Sequence, residues 1–138
     1  MTPTVIFACV HNAGRSQMAA AFFNALATHA RAISAGTNPA SRVHPEVVAA
    51  MQEVGIDLSA AHPQRLTKEL TEGAQLLITM GCGDECPVVR GLERSDWPLP
   101  DPKGQALAQV RMVRDDIRQR VRALILERGW APPAGGAG

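Results

Sequence analysis

Val5-Ile6-Phe7-Ala8-Cys9-Val10-His11-Asn12-Ala13-Gly14-Arg15-Ser16-Gln17-Met18-Ala19-Ala20-Ala21-Phe22-Phe23 reads, without a break, as strand, anion-holding loop and helix. A Cys and an Arg bracket five small or polar residues, so the backbone N–H groups of Val10, His11, Asn12, Ala13, Gly14, Arg15 and Ser16 can converge on one point. The helix that opens near Ser16 presents its positive end to the same point. A tetrahedral oxyanion fits there. The thiolate is the reactive form of cysteine and is favoured opposite a helix N-terminus, a guanidinium and hydroxyl donors, so Cys9 is expected to be ionised and nucleophilic. Arg15 can grip two oxyanion oxygens through its planar fork, which Lys does less well.

Composition narrows the class. The 138 residues suffice for one domain with a real core. A formal net charge of +1 supplies no field that would draw in nucleic acid or an anionic membrane, and neither is expected as a partner. The chain has no Lys/Arg-rich start leading into a long apolar block and no stretch of transmembrane length, so the expectation is an untargeted, cytoplasmic protein, monomeric in its simplest form. Three cysteines without scaffold spacing argue for thiol chemistry rather than a secreted disulfide framework.

Strand-like and helix-like periods alternate along the chain, which predicts a single-domain α/β fold: a four-stranded parallel sheet with helices on both faces. Strands are expected at Thr4 to Ala8, Arg31 to Ala35 and Leu76 to Met80, with Trp97 on a short edge strand. The first helix should run from Ser16 to about His29 and set Met18, Phe22, Ala25 and Leu26 toward the core. Pro45 suits a first helical turn and opens a helix to about Val54, a shorter helical piece covers Leu66 to Glu72, and a long one runs from about Gln105 to Glu127. The Arg and Asp residues of that last helix, Arg114 among them, read as a solvated face. The Pro/Gly-rich tail, 131–138, should be disordered, leaving 1–130 as the folded domain.

In open α/β sheets ligands sit beyond the carboxyl ends of the strands. The Cys9 loop, the segment Gly81 to Cys86 and Asp101 all fall there. Asp101, in a loop stiffened by Pro98, Pro100 and Pro102, suits either a turn or helix-cap aspartate or a general acid. Cys82 and Cys86 suit either a pair of small buried residues or a thiol pair, and with Cys9 or His11 they could hold zinc or trivalent arsenic. Their number and spacing do not favour a closed metal site, and none is expected. His29, His44 and His62 have no partners at ligand spacing.

The run Val5 to Met18 resembles the signature of the low-molecular-weight protein tyrosine phosphatase fold, and His11-Asn12-Ala13-Gly14-Arg15-Ser16-Gln17-Met18 resembles its arsenate reductase branch in particular. The resemblance implies arsenate reduction to arsenite, for arsenic detoxification. Cys9 would be the nucleophile, Asp101 the general acid, and Asn12 the loop residue that adopts a left-handed backbone. Lys103-Gly104 stands where the phosphatases carry ring-stacking aromatics, and the chain has no tyrosine. A reductase must supply two electrons, so a second thiol has to attack the Cys9 sulfur. By the resemblance Cys82 does so, and Cys86 carries the disulfide outward to a thioredoxin-like donor, although the known thioredoxin-coupled relatives space these two cysteines further apart. Potassium-binding relatives have a Glu two residues after the helix-one Met; Ala20 stands there, and no bound cofactor or cation is expected. Two other activities stay open: a phosphatase for protein tyrosine or small phosphate esters, and a reductase coupled to a low-molecular-weight thiol and a glutaredoxin-like protein.

Overall fold

The computed structural model describes residues 2–81 and 91–131. Its elements follow the chain as β1 (Thr4–Cys9), α1 (Arg15–Leu26), β2 (Arg31–Gly36), α2 (Pro45–Gln52), α3 (Lys68–Glu72), β3 (Leu76–Thr79), β4 (Glu93–Asp96) and α4 (Leu107–Arg128). The strands form one sheet in the order β2-β1-β3-β4, and every neighbouring pair is parallel. The chain leaves β1 toward β2 on one side and comes back to β3 on the other. That reversal opens a crevice at the carboxyl ends of β1 and β3, where an open α/β sheet binds its ligand.

All six residues of β1 and all four of β3 are buried, as expected for strands covered on both faces. The period of two divides them. Val5, Phe7, Cys9, Leu76, Ile78 and Met80 enter the large core shared with α1, α2 and α4, whereas Ile6, Ala8 and Leu77 enter a small one. Leu66, Leu70, Ala74 and Leu92 pack against the small cluster. Four aromatic rings run through the large core in contact order Trp97, Phe7, Phe23, Trp130, with centroids 5.6, 5.9 and 5.7 Å apart. Both sheet edges are managed locally. At β2, the Asn24 side chain donates to the Ala32 carbonyl at 3.0 Å and accepts from its N–H at 2.8 Å. At β4 all four residues are exposed, and three of them, Glu93, Arg94 and Asp96, carry charge, which discourages pairing with another chain.

Three local expectations are corrected. Helix α1 stops at Leu26, and Ala25 and Leu26 face solvent, because Ala27 is already extended and turns the chain toward β2. Met18, Ala19, Phe22 and Phe23 make its core face. Trp97 lies one residue past β4, its N–H donating to the Thr79 carbonyl at 2.7 Å; the strand itself is an exposed charged run with no apolar alternation to announce it. Arg114 is buried at 8% exposure rather than solvated. It donates to the Ala50 carbonyl in the last turn of α2 at 2.9 Å, to Glu53 at 2.8 Å and to Asp115 at 2.8 Å. The tail residues 132–138 lie outside the described residues. Among the described residues, no helix is long and apolar enough to cross a membrane.

Arg111 also grips Glu53, with Nη2–Oε2 at 2.6 Å and Nε–Oε1 at 2.9 Å, so one carboxylate ties α2 to α4. Arg111 first, then Arg114, lowers the Glu53 pKa from 4.5 to about 2. A carboxyl whose folded value is depressed stabilises the fold above its unfolded pKa and loses that contribution as pH falls through the folded value. Urea unfolding midpoints should therefore fall more steeply for the wild type than for Glu53→Gln between about pH 4.5 and pH 2.

Candidate active site

The loop between β1 and α1 is held open by its surroundings. Each of its carbonyls is turned outward to a donor: Cys9 O accepts from Thr37 N at 3.3 Å, Val10 O from Asn38 N at 2.8 Å, and His11 O from Ala40 N at 2.9 Å. Asn12 O accepts from Gln17 Nε2 at 3.1 Å, Ala13 O from His44 N at 2.9 Å, and Gly14 O from Met18 N at 3.0 Å. Successive peptide units that send their C=O groups outward send their N–H groups inward. Among the described residues, the N–H groups of Val10 to Gly14 have no protein acceptor. They form a concave donor set at the N-terminus of α1, the arrangement that binds an oxyanion.

Asn12 is the turning point. It is fully buried and, among the described residues, the one non-glycine with positive φ, at 50°. An asparagine adopts this left-handed backbone more readily than most residues because its side chain bonds locally. Here Nδ2 donates to Ser16 Oγ at 2.7 Å, while Oδ1 accepts from Gln64 N at 2.9 Å and from Gln17 Nε2 at 3.2 Å. Ser16 Oγ in turn lies 2.9 Å from Cys9 Sγ. Since Asn12 already fills a lone pair of the Ser16 oxygen, the single hydroxyl proton is free to point at sulfur. Cys9 is buried at 2% exposure, with the Ser16 hydroxyl against its sulfur and the N-terminus of α1 beyond the loop.

Arg15, the first residue of α1, is buried at 7% exposure. Its Nη1 donates to the Leu99 carbonyl at 3.1 Å and its Nη2 lies 3.8 Å from Asp101 Oδ2. A Cβ on Gly81 would stand 2.2 Å from Nη1, and Gly81 has φ +97°, so glycine is required on both counts. Asp101 accepts from Lys103 N at 3.0 Å through Oδ1, an aspartate turn that leaves Oδ2 toward Arg15. The Asp101 loop is seated on the Cys9 loop, where a Cβ at Gly14 would meet Pro102 Cγ at 2.9 Å, and on α2, where Gly104 N donates to Glu46 at 3.3 Å. His11 donates through Nδ1 to the Asn38 carbonyl at 3.1 Å, on the exposed rim.

The structure thus gathers Cys9, Val10, His11, Asn12, Ala13, Gly14, Arg15, Ser16 and Asp101 at one end of the sheet. Cys82 and Cys86 lie outside the described residues. Sequence reasoning missed Gln17 and Gln64, which hold Asn12, and the Leu99 carbonyl, which aims Arg15. Gln17 stands inside the motif itself; the other two are main-chain partners distant in sequence, which no local spacing reveals.

Comparison with known proteins agrees with this geometry. A "Putative arsenate reductase" of Halobacterium salinarum is 42% identical over 121 residues, covering 83% of this chain and 85% of its own. The glutaredoxin arsenate reductase of Synechocystis is 36% identical over 124 residues, covering 88% and 95%. Among solved structures, the thioredoxin-dependent arsenate reductase of Corynebacterium glutamicum superposes with a TM-score of 0.79 at 38% identity over 91% of this chain; the chain spans 61% of that longer protein. The family model for low molecular weight phosphotyrosine protein phosphatases matches residues 4–129, from the first residue of β1 to the one that closes α4. A cysteine on an inward-facing amide loop, an arginine at the helix start and an aspartate seated across from them fill that span, and the chain belongs to the low molecular weight phosphotyrosine protein phosphatase family.

Proposed function

We propose that this chain is an arsenate reductase, formed by residues 1–130 and working as a monomer in the cytoplasm. The observation that carries the reading is the loop whose six outward carbonyls, Cys9 to Gly14, leave a cup of N–H donors over the Cys9 sulfur. Arsenate enters that cup and is held by the backbone amides and the Arg15 fork. Cys9 thiolate attacks arsenic in line, forming a sulfur–arsenic bond, and the departing oxygen leaves as water on taking a proton from Asp101. The Cys82 thiolate then attacks the Cys9 sulfur. A sulfur–sulfur bond forms, the sulfur–arsenic bond breaks with its electron pair on arsenic, and arsenite is released. Two thiols are thereby oxidised to a disulfide and As(V) is reduced to As(III). Cys86 exchanges into that disulfide, and a thioredoxin-like dithiol restores the three thiols.

Several observations support reduction over ester hydrolysis. The relatives at 42%, 36% and 38% identity carry arsenate reductase in their names. The exposed Lys103-Gly104 step after Pro102 offers no ring to stack on a phosphotyrosine. Phosphate has nearly the shape and charge of arsenate, so slow phosphatase activity belongs to the same cup. The donor is the second question, because the Synechocystis relative is named for glutaredoxin and the Corynebacterium one for thioredoxin.

Arsenate-dependent NADPH consumption should appear with thioredoxin and thioredoxin reductase and disappear in Cys9→Ser and Cys82→Ser. Turnover confined to a low-molecular-weight thiol with glutaredoxin would overturn the thioredoxin relay, and brisk para-nitrophenyl phosphate hydrolysis without arsenate reduction would overturn the reductase. Asp101→Asn should lower kcat by about 10²-fold with little change in KM, the loss typical of removing a general acid. Gly81→Ala should push Arg15 off the Leu99 carbonyl and lower kcat/KM by about 10²-fold, while thermal melting shows the protein still folded.

A further inference from the structure

Behind the Cys9 loop, away from the oxyanion cup, three oxygens converge on a single nitrogen. Gln17 Nε2 donates to Asn12 O at 3.1 Å, to Asn12 Oδ1 at 3.2 Å and to the His62 carbonyl at 3.3 Å. Gln17 is itself buried at 6% exposure. Because all three partners are acceptors, only the NH₂ end of the amide fits there, and the orientation of Gln17 is fixed without ambiguity.

That orientation propagates. Asn12 Oδ1 receives two donors, Gln17 Nε2 and Gln64 N, so its own NH₂ must face the other way, onto Ser16 Oγ. Ser16 then has one proton to give and gives it to Cys9 Sγ. A rotated Asn12 amide would set its NH₂ against two donors and present an acceptor to Ser16. The hydroxyl proton would then turn to Asn12 and leave sulfur unserved. The same Gln17 nitrogen also ties down the Asn12 carbonyl, whose peptide carries the left-handed turn. One side chain thus controls both the direction of the hydrogen-bond chain and the backbone turn that aims the loop N–H groups.

We propose that Gln17 is a positioning residue for the Cys9 thiolate, acting through Asn12 and Ser16 without touching substrate. The proposal rests on Cys9 being the nucleophile but not on arsenate being its target. Hydrogen bonds to the charged form of a group favour that form, so loss of Gln17 should be visible as loss of thiolate. The charged and titratable groups around the cup, Arg15, Asp101, His11 and His44, are left in place by substitutions at Gln17.

The test measures the rate of Cys9 alkylation by iodoacetamide against pH, in the full chain carrying Cys82→Ser and Cys86→Ser so that one thiol is left. Gln17→Met keeps the bulk and removes the donors. It should alkylate about tenfold more slowly than its parent near pH ~6, with the same plateau at high pH, where every thiol is ionised. Ser16→Ala should show a loss of its own, and the double variant should lose clearly less than the two single losses combined, because both act on one chain. A folded Gln17→Met whose profile coincides with the parent's would sink the proposal, as would a loss that adds fully to that of Ser16→Ala. Should the Met variant not fold, Gln17→Leu, also uncharged and lacking the NH₂, gives the same comparison with the same two readings. Alkylation needs no arsenate, so a wild-type chain that reduces none with either donor, beside a single-thiol parent whose alkylation responds to Gln17→Met as stated, would defeat the reductase and leave the role of Gln17 intact.

Discussion

Everything at the site depends on where six carbonyls go. A loop of backbone amides binds an anion only if its C=O groups are kept away from the same point, and here each one from Cys9 to Gly14 has a donor outside the cup. Three of these donors, Thr37, Asn38 and Ala40, come from the segment after β2, and His44 supplies a fourth at the start of α2. The strand order explains why they are in reach. With β1 flanked by β2 and β3, the chain leaving β2 must pass beside the loop leaving β1. The anion cup is therefore a product of sheet topology, and the residues that build it need carry no charge.

The polar interior is connected rather than scattered. Cys9, Ser16, Asn12, Gln17 and the main chain at His62 and Gln64 form one continuous hydrogen-bonded chain. Buried groups of this kind are costly when left half-satisfied and orienting when complete. The second anchor lies across the crevice. The Leu99 carbonyl and Gly81 together fix the Arg15 fork, so the residues that bind the oxyanion are held from β1, β3 and the loop preceding α4 at the same time.

Much of this was legible in the sequence, for identifiable reasons. The run Val5 to Ala8 is apolar on both faces, which only a central parallel strand tolerates, and the Cys9 to Ser16 loop follows it directly. Element boundaries were clear where a local signal marks them, as at Pro45 and at Gly36, and blurred where it is absent: β4 is four exposed residues, mostly charged, and α1 ends against the turn into β2 rather than at a glycine or proline. Arg114 looked like one more solvated arginine because what buries it, Ala50 in α2 and Glu53 at its C-cap, lies some sixty positions earlier in the chain. Gln17 was similarly quiet. Two of its three acceptors are main-chain carbonyls, and main-chain oxygen leaves no trace in residue identity.

The aromatic row across the core has an optical consequence. The chain contains two tryptophans and no tyrosine, so all of its intrinsic emission originates at the two ends of that row. Trp130 rests on Phe23, beside the connection between α1 and β2, where its carbonyl accepts from Thr28 and His29. Trp97 rests on Phe7 and stands two residues before Leu99, the residue that aims Arg15. The two indoles therefore report on different places in the fold, one on the approach to the Arg15 support and the other on the turn that closes α1.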